Sequence, residues 1–157
     1  MYKDSYFTLA EFCKGLSSDE LLTVMSSEAL LYNLNHFLLF LNVLRKEVGL
    51  PIRITSWYRD KNHNFLVGGS TSSQHLYGEA VDIYCENLEG ILKALFCSSV
   101  IPLNAFGQVI YYPSRKFVHL GMVNEKWHDA TLFVCFKQGM IRRFDNFEDY
   151  SGLIGHV

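Results

Sequence analysis

The residues with the clearest chemical potential lie in one short stretch, Ser73-Gln-His75-Leu-Tyr-Gly78-Glu-Ala80-Val-Asp82. Imidazole nitrogen and carboxylate oxygen are both zinc ligands. If the end of the stretch is a strand, Ala80 and Asp82 share one face while Glu79 and Val81 take the other, which leaves Glu79 unsuited as a base at a site built on Asp82. Gly78 permits a sharp turn, so that His75 folds back towards Asp82. The small Ala80 leaves room on the metal face. A hydrolytic zinc site takes three protein ligands and keeps a fourth position open. His119, in Phe117-Val-His119-Leu-Gly-Met122, is the candidate third ligand, on a strand whose odd positions share its face. Taken singly, each histidine is more often an ordinary hydrogen-bonded residue than a ligand.

These side chains need elements to hold them. Ser17-Ser18-Asp19-Glu20 has the form of a capping box, with Glu20 reaching back to Ser17. Apolar residues at 30, 31, 34, 37, 38, 41, 44 and 48 fall at helical intervals and predict one helix over Glu28 to Val48, stopped by Gly49 and Pro51. Ile52 to Trp57 reads as a strand, Arg59 to Phe65 as a helical turn, and Val67 to Ser73 as a Gly/Ser loop. Gly78 to Tyr84 reads as a buried strand, and Asn87 as the cap of a helix running to about Cys97. Two hairpins follow. Gln108–Tyr112 and Phe117–Met122 flank Pro113 to Lys116, and Thr131–Phe136 and Met140–Phe144 flank Lys137 to Gly139. The expected class is α+β, an antiparallel sheet with helices packed on one side.

Composition narrows the function. A chain of 157 residues with 49% hydrophobic and 19% charged residues is globular, and its length suits one domain over 1–157. A net charge of −2 without a basic run argues against a nucleic-acid binder. The most apolar stretch, Leu30 to Leu44, is broken by Asn33, Asn35, His36 and Asn42, which excludes a membrane span there. The four cysteines, 13, 85, 97 and 135, form no C-x-x-C pair and read as buried free thiols. No charged-then-apolar leader opens the chain, so the expectation is synthesis and retention in the cytoplasm unless something releases it.

The pattern S-x-H-x-x-G-x-A-x-D, matched by Ser73, His75, Gly78, Ala80 and Asp82, resembles the signature of the zinc D-alanyl-D-alanine carboxypeptidases and related phage endolysins. Ile54-Thr-Ser-Trp-Tyr-Arg59 is similar to that family's strand end, and Asn64 with Val67-Gly-Gly-Ser70 to its loop. Tyr6 to Phe12, Phe106 to Tyr112 and Phe117 to His119 extend the likeness over most of the chain. The resemblance implies a Hedgehog/DD-peptidase-like fold and a zinc ion on His75, Asp82 and His119. It also implies that Arg59 stabilises an oxyanion or holds a substrate carboxylate, and that Ser73 helps bind the peptide. The plainer reading of Arg59 is a surface charge beside Asp60.

The chain departs from the family at the general base. Lys116 stands three residues before His119, where an acidic residue is usual, and Tyr112 occupies the position of a glutamate found in other relatives. Pairing Tyr112 with Phe117 puts Ile110 opposite His119 and Gln108 opposite Gly121, which brings Tyr112 to the face of His119. Tyr112 is then either a hydrogen-bonding group near the zinc or an aromatic packed on Phe117. Glu125-Lys-Trp-His128 resembles an E-x-W-H motif in which Glu125 is the base and His128 a ligand. His119 is preferred over His128, with Glu125 kept as a candidate base. His36, His63 and His156 lack ligand spacing, and His63 reads as a polar-loop residue. The expected activity is zinc-dependent hydrolysis of peptidoglycan stem peptides, by carboxypeptidase or endopeptidase action. The expected setting is a monomer that meets the cell wall after release or during phage lysis or entry. The competing expectation is a zinc-containing binding module of the same fold without catalysis.

Overall fold

A computed structural model describes residues 5–101, 105–126, 131–137 and 140–144. Helices α1 (Leu9–Phe12), α2 (Ser18–Ser26) and α3 (Glu28–Val48) come first. Strand β1 (Ile52–Ser56), helix α4 (Lys61–Leu66), a 3-10 turn (Gln74–Tyr77), strand β2 (Ala80–Cys85) and helix α5 (Leu88–Cys97) follow. Strands β3 (Gln108–Tyr112), β4 (Phe117–Gly121), β5 (Thr131–Lys137) and β6 (Met140–Phe144) complete the described elements.

Local chemistry explains the helix limits. Ser17 and Glu20 form the expected capping box on α2, and Thr8 with Glu11 forms another on α1. α3 runs from Glu28 to Val48 as its periodicity predicts and ends on Gly49 at φ 70°, ψ 5°, a left-handed cap. Its buried face is Leu30, Leu34, Phe37, Phe40, Leu41 and Leu44. Asn87 caps α5 through the Gly90 amide.

The strands form one sheet in the order β1-β2-β4-β3-β5-β6. The β3–β4 register is the expected one, with Tyr112 opposite Phe117, Ile110 opposite His119 and Gln108 opposite Gly121. One pairing departs from a purely antiparallel sheet: β5 lies parallel to β3. Both edges of β4 are already taken, by β2 and β3, so β5 joins the free edge of β3. A strand returning against the direction of β4 there must run with β3.

The two faces of the sheet divide the labour. Val81, Ile83 and Cys85 of β2, Val109 and Tyr111 of β3, and Val118 and Leu120 of β4 join the core beneath α3 and α5. Alternate residues, Asp82, Ile110, Tyr112, Phe117 and His119, line a cleft of about 610 Å³ on the opposite face. The segment carrying α4, the Gly68–Gly69 loop and the 3-10 turn forms the other wall of that cleft. Among the described residues, no helix is long and apolar enough to cross a membrane. Of the cysteines whose side chains are described, only Cys85 is buried. Cys13 is half-buried and Cys97 exposed, because the apolar face of α5 ends before its last residue.

Candidate metal centre

His75 sits in the 3-10 turn, whose cap is Ser73: its hydroxyl accepts the His75 amide at 3.3 Å. The turn ends at Gly78, at φ 64°. A Cβ there would lie 2.7 Å from Leu30 and 3.2 Å from Trp57, so both the backbone angle and the space require glycine. The Trp57 indole donates to the Gly78 carbonyl at 2.9 Å, and the main-chain oxygen of Trp57 accepts from His75 Nδ1. The Arg59 amide donates to the His75 carbonyl at 3.1 Å. The strand end and the turn thus hold each other.

β2 and β4 bring the other two side chains alongside, with Asp82 paired directly to His119. His75 Nε2 lies 3.1 Å from Asp82 Oδ1 and 3.2 Å from His119 Nδ1, and His119 Nδ1 lies 2.8 Å from Asp82 Oδ1. All three donor atoms fall within 4.8 Å of one another. His75 and Asp82 are buried, and His119 is nearly so.

The protonation pattern fits a cation. A carbonyl only accepts, so His75 Nδ1 carries the proton it gives to Trp57. Burial pushes the His75 pKa down, against the pull of Asp82, and favours the neutral ring. Nε2 of that ring is then a lone pair facing a carboxylate oxygen. Burial alone raises the pKa of Asp82, but the two neighbouring histidines outweigh it whenever either carries a proton towards the carboxylate, and the carboxyl is held well below the usual range. The His75 lone pair and the Asp82 carboxylate repel each other unless a proton or a metal ion lies between them, and His119 Nδ1 is within reach of both. The nitrogen and oxygen donor set suits zinc.

Arg59 stands behind this cluster. Its Nη2 lies 2.7 Å from Asp82 Oδ2, and its Nε donates to Ser56 Oγ at 2.9 Å. The two Asp82 oxygens are therefore divided, Oδ1 towards the histidines and Oδ2 towards the guanidinium. Such outer partners fix a ligand's orientation. Arg59 is mostly buried rather than a surface charge.

Residues 5–121 match the family model described as Peptidase M15. The chain belongs to the M15 peptidases. This is the family of zinc peptidases that includes D-alanyl-D-alanine carboxypeptidases and endolysin-like members, and its α+β fold is the one seen here. No curated protein matches the chain. The matched span contains the three clustered donors and ends at Gly121, the last residue of β4, before the second hairpin.

The remaining expected M15 site residues fall into place unevenly. Ser73 and Tyr112 both line the cleft. Tyr112 also stacks on Phe117, with ring centroids 4.4 Å apart, as the packing reading expects. Glu125 is exposed and does not line the cleft, although its neighbour Lys126 does. Lys116 is a turn residue at φ 57°, closing the loop between β3 and β4. Glu79 accepts from Asn124 at 3.0 Å, away from the donor cluster. His128 and His156 lie outside the described residues. His36 is a half-buried helix residue edge-on to Phe37.

Two contributors carry no sequence signal of their role at the site. Trp57 orients His75 through a main-chain atom, which no side-chain pattern announces. Asn64, already paired with the glycine loop by the resemblance, is buried and anchors that loop, donating to the Ser70 carbonyl at 2.9 Å, and a Cβ on Gly69 would strike its amide oxygen. His63 is not a polar-loop residue: it lies in α4, lines the cleft and meets the buried Glu20. The second carboxylate oxygen of the capping-box Glu20, which the cap leaves unused, was the available signal.

Proposed function

We propose that this chain is a zinc peptidase hydrolysing peptidoglycan stem peptides, by D-Ala-D-Ala carboxypeptidase or endolysin-type endopeptidase action. The observation that carries the reading is the convergence of His75, Asp82 and His119 on the floor of an open cleft. His75, Asp82 and His119 would hold a zinc ion, which would supply Lewis acidity for peptide hydrolysis. The chain's own residues do the rest. Arg59 fixes Asp82 through Oδ2 and keeps Nη1 for charge developing on the carbonyl oxygen. Tyr112 offers a hydroxyl at the cleft wall, and Ser73 a second one beside His75. Glu125 remains a candidate base on the resemblance alone, being exposed and outside the cleft lining. The protein acts as a monomer, and meets its substrate after release or during phage lysis or entry.

A second reading is a zinc-containing binding module without turnover. It is favoured by a specific observation, that Lys116 stands in a turn and Glu125 outside the cleft, where a base is needed. Mass spectrometry of muropeptides before and after incubation with zinc-loaded protein separates the two. The peptidase reading expects trimmed or cut stem peptides, abolished by chelator and restored by zinc. Full zinc occupancy with intact muropeptides establishes the binding module.

A further inference from the structure

His63 and Glu20 form a second polar unit at the cleft, separate from the donor cluster. Glu20 comes from α2 and is 3% exposed. Its Oε2 accepts the Ser17 amide at 2.8 Å, and its Oε1 accepts the Asp60 amide at 3.1 Å. The same Oε1 lies 2.9 Å from His63 Nδ1. Burial pushes the Glu20 carboxyl up, but these hydrogen bonds win and hold its pKa below the ordinary value. An ionised carboxylate only accepts, so Nδ1 carries the proton between them. That sets the tautomer: in the neutral ring, Nε2 is a bare lone pair. The His63 amide donates to Asp60 Oδ1 at 2.7 Å, so the cap of α4 fixes the residue's backbone while Glu20 fixes its ring. Nδ1 faces a buried group, so the exposed third of the ring (34%) is its other edge, on the side of the cleft. Nε2 has no partner among the described residues.

Such a lone pair meets a hydrogen-bond donor or a metal ion, and His63 stands outside the group of described residues whose donor atoms converge. A carboxylate at Nδ1 also makes Nε2 a stronger acceptor, as it does for histidines at metal sites. Two other polar side chains of the lining are not free to accept. Asp82 engages the two histidines through Oδ1 and Arg59 through Oδ2. Gln74 gives its amide N–H to the Met122 carbonyl at 2.9 Å, and its Oε1 is sealed off beside Gly121. A peptide main chain carries an N–H on every residue but proline, and each one taken out of water needs an acceptor. We propose that His63, oriented by Glu20, is a positioning residue of the cleft whose Nε2 accepts a main-chain N–H of the bound peptide. No proton is transferred; the bond sets where the peptide lies along the cleft. This rests on the peptidase reading for the identity of the peptide.

The test uses zinc-loaded full-length protein isotopically labelled at its histidine ring nitrogens, a stem peptide, and a series of that peptide with one main-chain nitrogen methylated at a time. The His63 ring resonances, identified by their loss in His63→Ala, are followed by NMR in mildly alkaline buffer, which favours neutral imidazole. Affinities come from the same titrations, and KM and kcat from cleavage. The free protein should show a protonated Nδ1 and a bare Nε2, and added peptide should shift Nε2 while leaving it unprotonated. His63→Ala should weaken peptide binding about three- to tenfold, the scale of one hydrogen bond, with little change in kcat. One methylated peptide should bind the wild type less tightly by a similar factor, yet bind His63→Ala as well as the unmethylated peptide does, because both changes remove the same bond. A thermal melt confirms that the variant is folded, and His63→Gln, which keeps an acceptor oxygen, should recover part of the loss. A proton on Nε2, an Nε2 resonance that no peptide moves, or effects of methylation and His63→Ala that add for every peptide overturn the proposal. A wild-type protein that shows the Nε2 shift and the shared bond yet cuts nothing upholds the proposal and overturns the peptidase reading. Cleavage without the shift does the reverse.

Discussion

His75 gives its Nδ1 proton to the main-chain oxygen of Trp57, and the same tryptophan's indole holds the carbonyl of Gly78, three residues further along the turn. One residue at the end of β1 thus sets both the tautomer of a candidate metal ligand and the bend that delivers it. The donor cluster is built from the backbone outward, with the His75 side chain as its last component.

Glycine at 78 is therefore expected to be indispensable. Gly78→Ala adds a Cβ in a left-handed conformation and drives it against Leu30 and Trp57. The conformational penalty is about 1–2 kcal/mol, and overpacking adds roughly 1–3 kcal/mol. Denaturant unfolding should show a loss in that range, and zinc titration a weakened site.

The third ligand can be decided by metal analysis. His119 lies 2.8 Å from Asp82, so His119→Ala should lose bound zinc, as should His75→Ala. His128→Ala should retain it. Zinc kept in His119→Ala but lost in His128→Ala reverses the assignment. Since ligand imidazoles bind metal only when deprotonated, zinc should also dissociate as the pH falls.

Arg59 should matter through Asp82. Arg59→Ala leaves a buried carboxylate without its Oδ2 partner, and metal affinity should fall by about 10–100-fold, the usual cost of removing an outer-shell partner. Arg59→Lys should recover little of this, because lysine cannot serve Ser56 and Asp82 from one planar group. A competition assay with a chelating dye measures both.

Tyr112 is tested by removing only its hydroxyl. Tyr112→Phe preserves the stack on Phe117, so the melting temperature should hold. Turnover should fall by about 10–100-fold if the hydroxyl bonds the substrate or the developing oxyanion. Unchanged kcat and KM confine Tyr112 to packing.

Glu20 makes stability depend on pH. Its folded pKa lies below the unfolded value of about 4.3, so the unfolded chain takes up the proton more readily. The stabilisation is thus fully present above the unfolded pKa and fades as pH falls through the folded one. Glu20→Gln should cost about 1–3 kcal/mol near neutral pH, with the gap to wild type closing in acid. Urea melts across that range give the comparison.

Much of this fold is legible in the sequence. The periodicity of Glu28–Val48 predicts α3 residue for residue, because a face that must be buried leaves its period in the sequence. The hairpin register follows from strand alternation, and it brings Tyr112 and His119 to one face. The parallel β3–β5 pair was not legible, since it depends on which sheet edges remain free once β2 and β3 have flanked β4.

For the candidate site, the sequence alone pointed to His75, Gly78 and Asp82, because a local turn and strand parity suffice to face two donor side chains towards each other. Tertiary structure decided what those ligands meet. His119 arrives across a β2–β4 pairing between strands more than thirty residues apart, and Trp57 acts through a carbonyl that every residue possesses. Glu20 and His63 are 43 residues apart and join only when α2 packs beside α4. Nothing local encodes such contacts. They exist because burial of the apolar faces fixes the helices and sheet, and the polar side chains left between them then find partners.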